Sequence, residues 1–115
     1  MPPDSDISRL QHMLDAVREI LEFVEGRDRQ SLSEDRPLQH LITRNFQILG
    51  EAASRISEDY RAAHPEIPWR EMIDLRNRLV HAYFDVNLDI VWSTVQQDLP
   101  RLLPQLTALM SAEEQ

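Results

Sequence analysis

The stretch "LQHLITRNFQILGEAASRI", residues 38–56, decides the fold, because its apolar residues return every three or four positions. That spacing is typical of one face of an amphipathic α-helix. The face consists of Leu38, Leu41, Ile42, Phe46, Leu49, Ala52 and Ile56. It is broader than contact with one neighbouring helix requires. The sequence therefore predicts a helix, beginning near Asp35, that lies at the centre of the protein or also faces a partner subunit.

A helix is also predicted before this central one. The stretch "ISRLQHMLDAVREILEFV", residues 7–24, carries apolar residues at steps of three and four, which indicates a helix from about Asp6 to Glu25. One of the polar residues 4–6 can cap its start, and Gly26 fits its end. The stretch "GRDRQSLSED", residues 26–35, is predicted to be a polar connection.

Further helices follow the central one. "SEDYRAAH", residues 57–64, is predicted to continue it or to form a short helix, and the prolines of "HPEIPW", residues 64–69, break the chain. A third long helix is expected over "WREMIDLRNRLVHAYF", residues 69–84. The last helix follows a cap at Asn87, and Pro100 and Pro104 are expected to kink or split it. No stretch is typical of a strand. We therefore expect one all-α domain over residues 1–115, an antiparallel bundle of four or five helices.

Composition excludes several classes of protein. The chain has no cysteine, so disulfides and thiolate metal sites are excluded and a reducing compartment fits. No apolar run is long enough to span a bilayer, and the N-terminus lacks the apolar segment of a signal peptide. Two glycines argue against a glycine-rich phosphate loop. We expect a soluble cytoplasmic protein of a bacterium or archaeon, with no membrane partner and no metal or other cofactor.

The distribution of charge is more informative than the net charge of −8. Residues 1–35 carry nine acids against four arginines, and residues 84–115 carry five acids against one arginine. Residues 36–83 carry six acids against seven arginines, so this is the one segment that is not acidic. The negative net charge of the whole chain predicts either weak affinity for nucleic acid or a small positive cleft inside a negative exterior.

The non-acidic segment ends in "RNRLVHAY", residues 76–83, which places four polar groups within about two turns of a helix. Relative to Arg76, Asn77 lies about 100° around the helix axis, His81 about 140° and Tyr83 about −20°. Asn77 and His81 therefore stack on one face, and Arg76 and Tyr83 on a neighbouring one. The groups form an arc, so a second helix across a dimer axis would help to complete a site.

These residue types suit cleavage of RNA without a metal, by attack of the 2′-OH on the adjacent phosphate. Histidine titrates near neutral pH and can move the proton. A guanidinium can neutralise charge that grows on the phosphoryl oxygens. Asn77 can orient either group, and Tyr83 supplies a phenol. A structural role for all four residues also fits, and the spacing alone favours it.

The wider sequence resembles a known family. "RNRLVHAY" matches the R-x-x-x-x-H-x-Y signature of HEPN-domain proteins. With "RNFQILGEAASRIS" (44–57), "HPEIPW" (64–69), "RNRLVHAYFDVNLDIVW" (76–92) and "DLPRLLPQL" (98–106), the chain resembles successive blocks of the HepT-like family. The resemblance covers nearly everything from Arg44 onward and implies an all-helical homodimer that acts as the ribonuclease toxin of a prokaryotic toxin–antitoxin system.

The resemblance also implies roles for individual residues. Arg76 and His81 would be catalytic, with Asn77 supporting them. Tyr83 would receive AMP from the antitoxin, an MNT-type minimal nucleotidyltransferase. Glu51 would pair with an arginine near the site or be a plain surface carboxylate, beside small residues at 50, 52 and 53 that allow close helix approach. The alternative is a non-catalytic helical dimer that serves only as binding partner and substrate of that nucleotidyltransferase.

Overall fold

The computed structural model describes residues 4–81 and 87–114, except the side chains of residue 4 and residues 78–81. Within these residues the secondary structure is helical, with no strand. The helices are α1 (Asp4–Val24), α2 (Arg29–Glu34), α3 (Arg36–Arg55), α4 (Glu58–Ala63), α5 (Trp69–His81), α6 (Leu88–Ser93) and α7 (Leu99–Glu113). A π-helical turn at Thr94–Asp98 joins α6 to α7 without a break. The predicted all-α bundle is confirmed. The described part of the chain has seven α-helices, three of them short, whereas four or five helices were expected.

The helix α3 lies at the centre of the bundle, as its broad apolar face predicts. It packs against α1 on one side and α5 on the other, and α1 also contacts α7. Its side chains Ile42, Phe46 and Leu49 are almost completely buried. Asp35 caps its start by accepting a hydrogen bond from the backbone N–H of Leu38. The central position is confirmed, and contact of this face with a partner subunit stays a prediction.

The predicted polar connection over residues 26–35 is wrong, because six of its residues form α2. Asp28 accepts hydrogen bonds from the backbone N–H and the hydroxyl of Ser31, and the Ser31 hydroxyl accepts one from the Asp28 backbone. This capping box starts the helix. Leu32, which is 0% exposed, anchors it to the core. A single apolar residue produces no periodic signal, so only the packing reveals the helix.

A buried carboxylate joins the start of α1 to the start of α4. Asp6 is 2% exposed, and its two oxygens accept hydrogen bonds from the backbone N–H and the hydroxyl of Ser57. Ser57 in turn caps α4 through the backbone N–H of Tyr60. The polar start of the chain therefore stabilises a contact distant in sequence, in addition to the local capping that the sequence suggests.

Aromatic residues close the turn between α4 and α5. Trp69 is buried and donates its indole N–H to the carbonyl oxygen of His64 at 2.9 Å. The ring of Tyr60 lies 4.5 Å from that of His64 and edge-on to Trp69 at 6.5 Å. Burial, followed by the nearby Glu113 carboxylate, raises the pKa of Tyr60 to about 12. Trp69 thus fixes the direction in which α5 leaves the turn.

The C-terminal helices show the interruption that the prolines predict, but it precedes Pro100. In a regular α-helix Pro100 would leave the carbonyl of residue 96 without a donor, and its ring would collide with that carbonyl. The π turn relieves this by widening the helix, and the backbone N–H of Leu99 bonds to the carbonyl of Thr94. Pro104 is accommodated inside α7. Asn87 caps α6 as predicted, accepting hydrogen bonds from the backbone N–H groups of Asp89 and Ile90. No helix in the described ranges is long and apolar enough to cross a bilayer.

Candidate active site

The predicted motif lies at the C-terminal end of α5. Arg76 and Asn77 are the sixth and fifth residues from the end of this helix, and His81 is its last residue. Nothing is described of the His81 side chain, and Tyr83 lies outside the described residues. Helical backbone from Arg76 to His81 keeps these two residues on the arc calculated from the sequence, about 140° apart around the axis.

Gly50 determines how closely this part of α5 approaches α3. A Cβ atom added to Gly50 would lie 2.7 Å from the Met72 carbonyl oxygen and would overlap the Cβ of Arg76. Any larger residue would push the two helices apart. The small residue at this position was predicted to allow close helix approach, and the structure shows that the helix it admits is the one carrying Arg76. The backbone of Arg76 is thus held against the rigid centre of the bundle.

The side chains of Arg76 and Asn77 reach solvent. Arg76 is half-buried and Asn77 is exposed, and Nη1 of Arg76 donates a hydrogen bond to Oδ1 of Asn77 at 3.2 Å. Among the described residues, no carboxylate lies within ion-pair distance of Arg76. Its remaining N–H donors can therefore bind an anion such as a phosphate. The structure brings the predicted arginine and its supporting amide together.

Glu51 is exposed and forms an ion pair with Arg55 at 2.9 Å, one turn further along α3. This is the one ion pair it makes within the described part of the chain, and it is a local pair on a solvent-facing surface. Such pairs add little to stability. The arrangement fits the surface-carboxylate alternative, and a supporting role for Glu51 at the site stays a prediction.

Other polar residues in the bundle have local structural roles. His64 contacts Glu66 at 3.3 Å and packs on Tyr60, and His12 is exposed on the surface of α1. Asn45 is buried and donates its amide to the carbonyl of Leu41 at 3.0 Å. In the part of the chain that the structure describes, no group of three histidine, aspartate or glutamate side chains is placed to hold a metal ion.

A groove beside α5 was missed by the sequence reasoning. It lies between α5 and the C-terminal helices, has a volume of about 500 Å³, and is lined by Leu75 and Asp74 directly before Arg76. Its far wall includes Thr94 and Asp98 of the π turn. Pro100 was the available signal, because it predicted an irregularity here. That residues of the irregular turn line a groove follows only from how the helices pack.

Comparisons with known proteins point in one direction. The family model described as "Ribonuclease HepT-like" matches residues 13–109. The chain is similar to a "Probable ribonuclease HepT" of Thermococcus cleftensis, 40% identical over 93 residues, covering 77% of this chain and 84% of that protein. It is also similar to a "Putative RNase" of Caldanaerobacter subterraneus, 30% identical over 105 residues, covering 91% and 94%.

A further relative is a "Putative RNase" of Methanocaldococcus jannaschii, 31% identical over 93 residues, covering 81% of this chain and 85% of that protein. No solved structure matches the chain significantly. The family model spans α1 to α7 and includes Gly50, Arg76 and Asn77. The chain therefore belongs to the HepT-like ribonuclease family.

Proposed function

We propose that this protein is an endoribonuclease, the toxin of a toxin–antitoxin pair, and that it cleaves RNA through Arg76 and His81 without a metal ion. One observation carries the proposal. In a member of a ribonuclease family, Arg76 is held against the bundle centre at Gly50 while its guanidinium reaches solvent. A fixed backbone with exposed donors suits the binding of a phosphate whose charge increases during the reaction.

The reaction follows from the two side chains and the RNA itself. The 2′-oxygen attacks the neighbouring phosphorus, its proton passes to a base, and the bond from phosphorus to the 5′-oxygen breaks. The leaving 5′-oxygen takes a proton, so the products are a 2′,3′-cyclic phosphate and a 5′-hydroxyl. His81 serves as the group that moves these protons near neutral pH. Arg76 neutralises the non-bridging oxygens, and Asn77 restrains the guanidinium through their hydrogen bond.

We propose further that the working site is a groove between two copies of the chain. Arg76 and His81 lie about 140° apart around the axis of one helix, so one helix by itself is not expected to bring both groups to one phosphate. A second α5 facing the first would supply another arginine and histidine from the opposite side. Sedimentation velocity on the purified protein tests this, and a monomer that cleaves RNA at full rate would contradict it.

The antitoxin is proposed to be a minimal nucleotidyltransferase that transfers AMP from ATP to Tyr83: the phenol oxygen bonds to the α-phosphorus, pyrophosphate leaves, and the phenol proton is released to solvent. On the helix that the sequence predicts over residues 69–84, Tyr83 would lie about two turns beyond Arg76 and close to the same face. A bulky anionic nucleotide there would occupy the guanidinium and repel an incoming RNA backbone. Incubation with the nucleotidyltransferase and ATP should add the mass of one AMP to the wild type and none to Tyr83→Phe. A Tyr83→Phe protein that gains the same mass would exclude this acceptor.

The ribonuclease proposal is tested with a fluorescent RNA in the presence of EDTA. Arg76→Ala and His81→Ala should each lower the cleavage rate by about two orders of magnitude or more, as removal of a charge-stabilising or proton-transferring group commonly does. Arg18→Ala and His12→Ala are matched controls, because both side chains are exposed on α1. They should cleave as the wild type does. Equal rates in the motif variants, with helix content unchanged, would refute the assigned site.

The second candidate is a non-catalytic dimer that acts only as substrate and partner of the nucleotidyltransferase. The net charge of −8 favours it, because an acidic surface binds RNA weakly. It predicts transfer of AMP to Tyr83 with no cleavage by the unmodified protein at any concentration. Cleavage that disappears when Tyr83 carries AMP would exclude it.

A further inference from the structure

The groove between α5 and the C-terminal helices combines an apolar floor with an acidic rim. The floor consists of Leu49, Met72, Leu75, Leu99 and Leu102. Leu49 belongs to α3, so the centre of the bundle forms the base of the groove. A volume of about 500 Å³ is within the range of pockets that hold a ligand or several side chains. Methionine and leucine surfaces adapt to the apolar face of a partner helix.

The rim is negative. Four carboxylates line the groove, from Glu66, Glu71, Asp74 and Asp98, against one cation, Arg101. Glu66 contacts His64, but no ion pair is formed by the other three carboxylates within the described residues. Like charges around a low-dielectric floor concentrate a negative potential there. The rim therefore attracts cations and repels RNA.

Two observations besides the acidic rim mark this groove as a binding surface. Ile90, on α6 at the groove wall, is 51% exposed, although an isoleucine favours burial. The π turn supplies Thr94 and Asp98 to the same wall, and π turns within longer helices occur frequently at functional sites. The apolar floor, the exposed isoleucine and the widened helix all lie on one side of the bundle.

We propose that this groove binds a basic amphipathic helix of a partner protein. Its apolar side chains, three and four positions apart, would cover the floor, and flanking lysines or arginines would meet the rim carboxylates. A second copy of this chain fits less well, since it carries a net charge of −8. The proposal does not depend on RNA cleavage, because it rests on the groove alone.

The experiment uses a labelled peptide of leucines and lysines with helical i, i+3, i+4, i+7 spacing, followed by fluorescence anisotropy with the full chain. The same peptide with glutamate in place of lysine is the charge control. The rim variant Glu71→Gln/Asp74→Asn/Asp98→Asn should weaken binding by about tenfold, since three exposed ion pairs are lost. Ile90→Ser should also weaken binding, through loss of apolar contact. Binding of the wild type should decrease as salt is raised.

A matched variant separates the groove from the overall charge. Glu22→Gln/Glu25→Gln/Glu114→Gln removes the same charge from exposed positions outside the groove, and its affinity should stay within about twofold of the wild type, as expected for remote screened charges. Equal weakening in both triple variants would overturn the proposal, as would equal binding of the glutamate peptide or no binding at all. If Ile90→Ser converts a dimer into a monomer, the occupant is a second copy and the proposed partner is wrong.

Discussion

Replacing Gly50 with alanine tests whether the contact between α3 and α5 holds the candidate site. In an exposed helix this replacement would stabilise the protein by about 1 kcal/mol, because alanine has the higher helix propensity. At Gly50 the new methyl group would meet the Met72 carbonyl oxygen at 2.7 Å and overlap the Cβ of Arg76. Neither atom is the mobile end of a side chain, so α5 must shift.

The two effects oppose each other, and the collision is the larger. Overpacking of this kind costs about 1–3 kcal/mol. After the gain in helix propensity, we expect Gly50→Ala to lower the free energy of unfolding by up to about 2 kcal/mol. For a chain of this size that corresponds to a decrease in Tm of up to about 8 °C. RNA cleavage should decrease as well at temperatures where the variant is still folded, because the backbone of Arg76 has moved.

Thermal unfolding followed by circular dichroism measures the first effect, and the fluorescent RNA assay measures the second. Ser54→Ala is the matched control, since Ser54 is exposed on the same helix and alanine favours helix there too. Its Tm should be unchanged or slightly raised. An increase in Tm for Gly50→Ala would show that α3 and α5 have room between them, and the account of how Arg76 is positioned would then be incorrect.

Three further predictions concern stability. Ser57→Ala removes the hydroxyl that bonds to buried Asp6 and should cost about 1–3 kcal/mol, measured by urea unfolding. Hydrogen bonds from the Arg27 side chain and the Leu38 backbone lower the pKa of Asp35, so its stabilising contribution is present above its unfolded pKa and lost as pH falls. The Tm difference between wild type and Asp35→Asn should therefore shrink from pH 7 towards pH 3. The Tyr60 pKa is raised to about 12, so stability is lost as pH rises from 10 to 12, and Tyr60→Phe should remove that loss.

Each of these has a contrasting outcome. Ser33→Ala, at an exposed serine on α2, should change stability far less than Ser57→Ala, and equal effects would argue against a special role for the buried pair. A Tm difference between wild type and Asp35→Asn that stays constant at all pH values would mean that the hydrogen bonds from Arg27 and Leu38 to the ionised carboxylate do not stabilise the fold. A Tyr60→Phe protein that loses stability at alkaline pH as the wild type does would point to another titrating group.

Local sequence determined most of the helices. The apolar steps in α1, α3 and α7 and the caps at Asp35 and Asn87 depend on residues within one or two turns of each other, so the chain alone reveals them. The proline irregularity before α7 and the anchor at Trp69 are likewise local in origin. The order of the motif residues around α5 follows from the helical period, which is a property of the backbone.

Tertiary packing decided the rest, because it depends on distances between residues far apart in the chain. Only the folded bundle brings Asp6 into hydrogen-bond contact with Ser57, buries Leu32 in the core, and packs Gly50 against Arg76. The groove likewise depends on tertiary packing, because its lining comes from α3, α5 and the C-terminal helices together. A sequence states which side chains a helix carries, whereas the space between two helices depends on both partners at once.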